Sequence, residues 1–303
     1  MSRTAPPPAV GPEHPHTLAV LGYASRDRAM RVGAFLGASG TTLVRDRLSD
    51  PWPGDGGAAH VVRAALAAGL DTAAVSWVGG DDEGRAWTRG LELAGADVSG
   101  VAVRGTRTPS AYLFYPDDDA TICVYDPGDC HDGGLTDAQR RLLTTARWCV
   151  VTAAPAPAIA AALDALPSGV RLAWAVKNDP DAFPPGLARR LAGRAALVTY
   201  SAGERSFLAD VLGGSVPSGD RLVVETRGAE GAAWWSGDAH GTVPAGPAAG
   251  NIRPGDTTGA GDTLIAATVA ALAAGREGAR AVAEGVAAAG RHIAANAQQE
   301  GTR

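Results

Sequence analysis

From Gly255 to Thr263 the chain reads Gly-Asp-Thr-Thr-Gly-Ala-Gly-Asp-Thr and runs at once into an Ala- and Leu-rich stretch, Leu264 to Ala274. Small residues at a helix start let backbone N–H groups crowd against an anion where the helix dipole already favours negative charge. Asp262 falls on the first helical turn beside that anion, a place that suits a base taking the proton from a hydroxyl that attacks phosphorus. A bare Gly-x-Gly-Asp would equally describe a turn with an N-capping aspartate. Other segments offer partners: Asp27 after a short apolar run, Asp55-Gly56-Gly57-Ala58-Ala59-His60 ahead of an Ala-rich helix, Ser201-Ala202-Gly203-Glu204, and Thr226-Arg227-Gly228-Ala229-Glu230-Gly231. His60 can hydrogen-bond a hydroxyl through either ring nitrogen, or stand as a helix-start histidine facing solvent. Lys177 follows an apolar strand, where ligands of open α/β sheets bind, yet near a turn it reads first as a solvated lysine.

These residues need elements to hold them. Thr17 to Leu21 is an apolar run stopped by Gly22, a buried strand opening a sheet. His60 to Leu70 reads as a helix and Ala73 to Val78 as the next strand. From Trp148 the pattern alternates: strands at Trp148 to Thr152, Arg171 to Val176, Ala196 to Tyr200 and Arg221 to Glu225, with helices near Pro157 to Leu166, Pro185 to Ala192 and Gly203 to Leu212. Such alternation implies a mostly parallel sheet with helices on both faces. Two β-rich patches interrupt it, a hairpin near 31–47 and another near 101–126 turning at Pro116-Asp117-Asp118-Asp119. The expected architecture is an α/β core over residues 17–303, carrying a small β-rich lid and preceded by a loose tail, residues 1–16.

Asp256-Thr257-Thr258-Gly259-Ala260-Gly261-Asp262 closely resembles the C-terminal signature of the PfkB family of carbohydrate kinases, which includes ribokinase and adenosine kinase. The resemblance implies a ribokinase-like three-layer sandwich and transfer of phosphate from ATP to a hydroxymethyl group of a sugar. It makes Asp262 the catalytic base, gives Gly259, Ala260 and Gly261 the transferring phosphoryl group, and sets Asp256 and Thr257 beside the phosphates and a monovalent cation such as K⁺. The run ending at Asp27 is similar to the family's opening strand, whose aspartate binds two sugar hydroxyls. Gly56 and Gly57 match its Gly-Gly signature, with His60 where the family usually has Asn. Thr226, Gly228 and Gly231 match the loop that lies against ATP, and Glu204 matches the glutamate that orients water around Mg²⁺, although Ser201 replaces that motif's usual Asn. A nucleoside acceptor is the alternative, with Tyr112, Phe114, Tyr115 and Tyr125 of the lid as base platforms; a non-catalytic sugar-binding relative is another. The 79–84 loop, Gly-Gly-Asp-Asp-Glu-Gly, is similar to a family loop and reads as architecture.

Composition narrows the remaining classes. The 303 residues are 46% hydrophobic and 19% charged, with a formal net charge of -5, so the chain has ample material for a core and none of the marks of disorder. Of 27 basic residues 26 are Arg, scattered without a run, so no nucleic-acid or anionic-lipid surface is expected. Cys123, Cys130 and Cys149 lack the spacing of a disulfide framework or a zinc site, and the N-terminus lacks the apolar core of a signal peptide. A cytoplasmic protein without membrane attachment is therefore expected, and a homodimer through the apolar lid strands is an open possibility.

Overall fold

The computed structural model describes residues 16–48, 52–117, 121–214, 219–246 and 257–301. After β1 (Leu18–Leu21) come β2 (Ala24–Val32), β3 (Val44–Arg47) and β4 (Gly54–Gly57), then α1 (Ala58–Ala67), β5 (Thr72–Val78), α2 (Asp82–Leu93), β6 (Asp97–Val103), β7 (Ser110–Tyr115) and β8 (Ile122–Asp126). The regular alternation follows: α3 (Asp137–Thr145), β9 (Trp148–Val151), α4 (Ala156–Ala165), β10 (Arg171–Ala175), α5 (Pro185–Arg194), β11 (Leu197–Ser201), α6 (Arg205–Leu212) and β12 (Leu222–Thr226). The antiparallel pair β13 (Ala232–Ser236) and β14 (Ala239–Val243) precedes α7 (Ala260–Ala273) and α8 (Gly278–Gly301).

The large sheet has the order β14-β13-β12-β11-β10-β9-β1-β5-β6 and is parallel from β12 to β6. Its central strands, such as β1 and β9, are apolar throughout because helices cover both faces. Side-chain alternation divides the core in two: Leu21, Trp77, Leu172 and Trp174 meet the helices on one face, with Leu143, Ile159 and Leu191, while Leu18 and Val20 meet Val61, Trp87, Ile265 and Val282 on the other. Each such buried side chain contributes roughly 1.5–3 kcal/mol. This is the three-layer sandwich that the sequence pattern implies. Among the described residues, no helix is long and apolar enough to cross a membrane.

The lid differs from its sequence reading. It is one sheet in the order β3-β2-β7-β8, with β4 paired to the first half of β2, and not two separate hairpins. β2 starts at Ala24, seven residues before the expected hairpin, because it leaves β1 after only Gly22 and Tyr23. Residues 101–103 belong to β6 of the large sheet, where Ser76, Trp77 and Val78 pair with Val101, Ala102 and Val103; their β-branched character suits either sheet, so spacing could not assign them. Asp118 and Asp119 of the expected turn, and Ala120 at the start of the expected strand, lie outside the described residues. The 79–84 segment is only partly loop, since Asp81 caps α2 by accepting from the Gly84 amide at 2.8 Å. His16, assigned to the tail, is 8% exposed, and its Nε2 lies 2.9 Å from Asp97.

Candidate active site

The residues singled out by sequence fall into two groups, one at the carboxyl ends of parallel strands and one on the lid. Ser201 ends β11 and Thr226 ends β12, and the two are directly paired. Beyond Thr226 the chain turns through Gly228 at φ +56° and Gly231 at φ +91°. A Cβ at Gly231 would lie 2.1 Å from the carbonyl oxygen of Val243, so the turn needs glycine there both for its φ and for its room. Glu204 Oε2 accepts from the Ser201 amide at 2.7 Å and its hydroxyl at 3.0 Å. The serine thus fixes the glutamate as an ordinary capping pair would. Burial raises the Glu204 pKa above the usual carboxylate range, with Ser201 and Lys177 opposing it.

At the start of α7, Gly259 takes the left-handed conformation, φ +79°, and Asp262 follows on the first turn. The Asp262 side chain is 11% exposed, and its Oδ1 accepts a hydrogen bond from Lys177 Nζ at 3.1 Å. Burial pushes its carboxyl up, but Lys177, His60 and His292 together hold it below the usual carboxylate range. The expectation that Lys177 is merely solvated is therefore corrected: β10 ends two residues before it and delivers it, beyond the strand's carboxyl end, to α7. Nothing in the local sequence signals that contact, which spans 85 positions.

The opposite pole is built by the lid. Asp27 lies within β2, and not at the end of β1 as the opening-strand resemblance suggests; its Oδ1 accepts from Ser25 Oγ at 2.6 Å and its Oδ2 is 3.3 Å from His60 Nε2. The glycine at 56 has a steric reason as well, since a Cβ there would fall 1.9 Å from Asp27 Oδ1. Gly57, at φ +62°, brings the start of α1 within 2.2 Å of the Tyr23 carbonyl as measured from where its Cβ would be. His60 joins the poles: its Nδ1 lies 3.3 Å from where a Cβ of Gly259 would be. Burial opposes charge on the His60 ring, yet Asp27 and Asp262 raise its pKa overall.

Two supports escaped the sequence reading. The His292 ring nitrogen Nε2 donates to the Thr258 carbonyl at 2.7 Å from α8, fixing the loop that carries Gly259. Tyr115 of the lid bonds Thr258 Oγ1 through its hydroxyl at 2.6 Å. Thr257 accepts the Ala260 amide through its carbonyl at 3.0 Å. Asp256, the cation candidate, lies outside the described residues. Of the lid aromatics, Tyr112 is on the outer face beneath Arg28, with the guanidinium 5.4 Å from its ring, and Phe114 packs on Phe35. Tyr115 and Tyr125 are on the inner face with Asp27. His131 packs between Tyr23 and Trp77, and among the described residues no cluster of His, Cys, Asp and Glu could hold a metal ion by itself.

Residues 16–303 match the model of the pfkB family of carbohydrate kinases. The chain belongs to that family. It is 29% identical over 298 residues to an ATP-dependent ribose-1-phosphate kinase of Halopiger xanaduensis, covering 86% of this chain and 92% of that protein. Its fold matches ribokinase from Cryptococcus neoformans in complex with ADP, with TM-score 0.77 at 19% identity, covering 91% of this chain and 93% of that one. A nucleoside kinase of Burkholderia thailandensis in complex with inosine is similar at TM-score 0.70 and 18% identity, covering 90% of each. This pfkB-family chain is accordingly an ATP-dependent carbohydrate kinase.

Proposed function

We propose that this kinase phosphorylates the hydroxymethyl group of a ribose-type sugar, with Asp262 as the base. The observation that carries the reading is the meeting of the two poles at His60, which touches Asp27 at 3.3 Å while its other ring nitrogen borders Gly259. A sugar held by its hydroxyls on Asp27 would present its hydroxymethyl oxygen toward the start of α7. That oxygen bonds to the γ-phosphorus, the bond from phosphorus to the β–γ bridging oxygen breaks, ADP leaves, and the hydroxyl proton passes to Asp262. The N–H groups of Gly259, Ala260 and Gly261 would receive the transferring group at the helix N-terminus.

The loops after β11 and β12 would take ATP, with Ser201, Thr226, Gly228, Gly231 and Thr257 toward the phosphates. Bound Mg²⁺ neutralises charge on those phosphates during transfer. Glu204 fits the role of holding its water shell: the carboxylate is fixed by Ser201 and lies within electrostatic reach of Lys177 and Asp262. A K⁺ site at Asp256 belongs to the same proposal.

Arg31 favours a phosphorylated acceptor. It stands on the same face of β2 as Asp27, pairs in register with Tyr115, and is 15% exposed with Nη1 3.7 Å from Asp46. A cation on the inner face of the lid suits the anionic group of a sugar 1-phosphate, the acceptor class of the Halopiger relative. A nucleoside is the second reading, supported by the inner-face rings of Tyr115 and Tyr125. ADP formation with ribose, ribose 1-phosphate, ribose 5-phosphate, inosine and adenosine separates them. We expect ribose 1-phosphate to be the best substrate and ribose 5-phosphate, whose hydroxymethyl oxygen is already esterified, to be inert. Turnover of ribose 5-phosphate would overturn the assignment of the acceptor oxygen. The exposed lid residues Leu43 and Val44 also suit a homodimer through the lid, testable by sedimentation.

A further inference from the structure

We infer that Lys177 is a positioning residue for phosphoryl transfer: it holds Asp262 by Oδ1 in its ionised form and leaves Oδ2 for the acceptor hydroxyl. The inference rests on the reading of Asp262 as the base. A carboxylate 11% exposed on a first helical turn needs a partner, because an isolated buried charge would otherwise take up a proton. Lys177 supplies it from the carboxyl end of β10, at 3.1 Å.

The groups facing this pair come from four directions. His60 approaches from α1, His292 from α8, Glu204 from the turn after β11, and Asp27 stands behind His60. Glu204 carries the wrong sign, and Lys177 is the cation in hydrogen-bond contact with Asp262. Asp262 is in turn the largest cause of the raised Lys177 pKa, which keeps the ammonium charged across the whole working range. Lys177 is also 40% exposed. The ammonium thus keeps part of its hydration, and an ion pair open to water at one end adds little to folding.

Residue type supports the same role. The chain uses Arg at 26 of its 27 basic positions, and this contact holds its one lysine. An ammonium is a compact point charge that can grip one carboxylate oxygen, whereas a guanidinium fork favours gripping both. Gripping both would occupy the oxygen that the hydroxyl proton must reach.

The single lysine makes the test direct. In untagged protein labelled with [ε-¹³C]lysine, one lysine signal reports on Lys177 without any turnover. We expect its pH titration to show an acid step that reports Asp262, and we expect that step to be missing in Asp262→Asn. In kinetics, Lys177→Met should lower kcat by ~10–150-fold, the worth of a charge-assisted hydrogen bond, with acceptor KM nearly unchanged. Its acid limb should move to higher pH, because the carboxyl then loses the group holding its pKa down. Lys177→Arg should keep the limb low while remaining slow. A lysine signal that titrates identically in Asp262→Asn, or an acid limb unmoved in Lys177→Met whatever its rate, overturns the inference. Asp262→Asn with wild-type turnover would instead remove the base itself, and the positioning role with it.

Discussion

Replacing Gly56 by Ala tests the proposed sugar-binding role of Asp27 through a residue that bears no functional group. The added methyl would lie 1.9 Å from Asp27 Oδ1 and 2.0 Å from both Cγ and Oδ2. Ordinary van der Waals separation is ~3.5 Å, so the carboxylate, or the β4 backbone, must move by about 1.5 Å. β4 is held in register with β2, and the Gly56 carbonyl accepts a hydrogen bond from the buried Trp87 indole at 3.1 Å, so the side chain of Asp27 is the softer part. Moving it breaks the 2.6 Å bond from Ser25 and the 3.3 Å contact with His60. Sugar hydrogen bonds to a charged group are worth ~1.5–3 kcal/mol, which predicts a loss of ~10–150-fold in acceptor kcat/KM. Overpacking should also cost about 1–3 kcal/mol of stability. Initial rates against acceptor at saturating MgATP, with ADP affinity from calorimetry, measure the effect. Acceptor kcat/KM close to wild type would refute the placement of Asp27 at the sugar, and an equal loss of ADP affinity would mean general disruption.

Asp81→Ala should cost about 0.5–2 kcal/mol by removing the cap of α2, read from urea unfolding. Burial raises the Asp81 carboxyl pKa, but bonds from Thr108 and Gly84 lower it overall; its contribution is therefore complete above the unfolded value of ~3.9 and fades as pH falls through the lower folded value, so the mutant and wild-type stabilities should converge in acid. Tyr115→Phe removes the lid's bond to Thr258 and should speed hydrogen exchange across residues 111–117 and 122–125; unchanged protection would mean that strand pairing alone fixes the lid. Gly259→Ala forces a side chain into φ +79° and toward His292 and His60, at 3.0 and 3.3 Å, and should cost at least ~1 kcal/mol while lowering kcat; a fully active variant would exclude a fixed loop at this position.

The parallel core was legible because its physics is local in sequence: strands buried on both faces are apolar throughout, as in Leu18–Leu21 and Trp148–Val151, and Pro or Gly marks the helix ends between them. The lid was harder, because Val101–Val103 and Ser110–Tyr115 have similar β-forming composition yet enter different sheets. Only the parallel pairing of β6 with β5 separates them. The antiparallel strands β13 and β14 and the long α8 carried too little periodic signal to be placed, although α8 delivers His292 and Asn296 to the Thr258 carbonyl.

Within the site, motifs gave the residues at the strand ends but not the charges that cross between elements. Lys177 and Asp262 meet only because the carboxyl end of β10 and the start of α7 converge. His60 shows the same limit from the other side. The family's usual Asn would hydrogen-bond a hydroxyl but could not gain a proton, whereas a histidine between Asp27 and Asp262 has its pKa raised by both carboxylates. The histidine can then carry positive charge between the Asp27 and Asp262 poles, a property that depends on which carboxylates surround it and not on any spacing in the chain. With Lys177 on one side of Asp262 and His60 on the other, the acid–base balance of the site is set by contacts of high sequence separation, and those are the contacts a single sequence leaves unread.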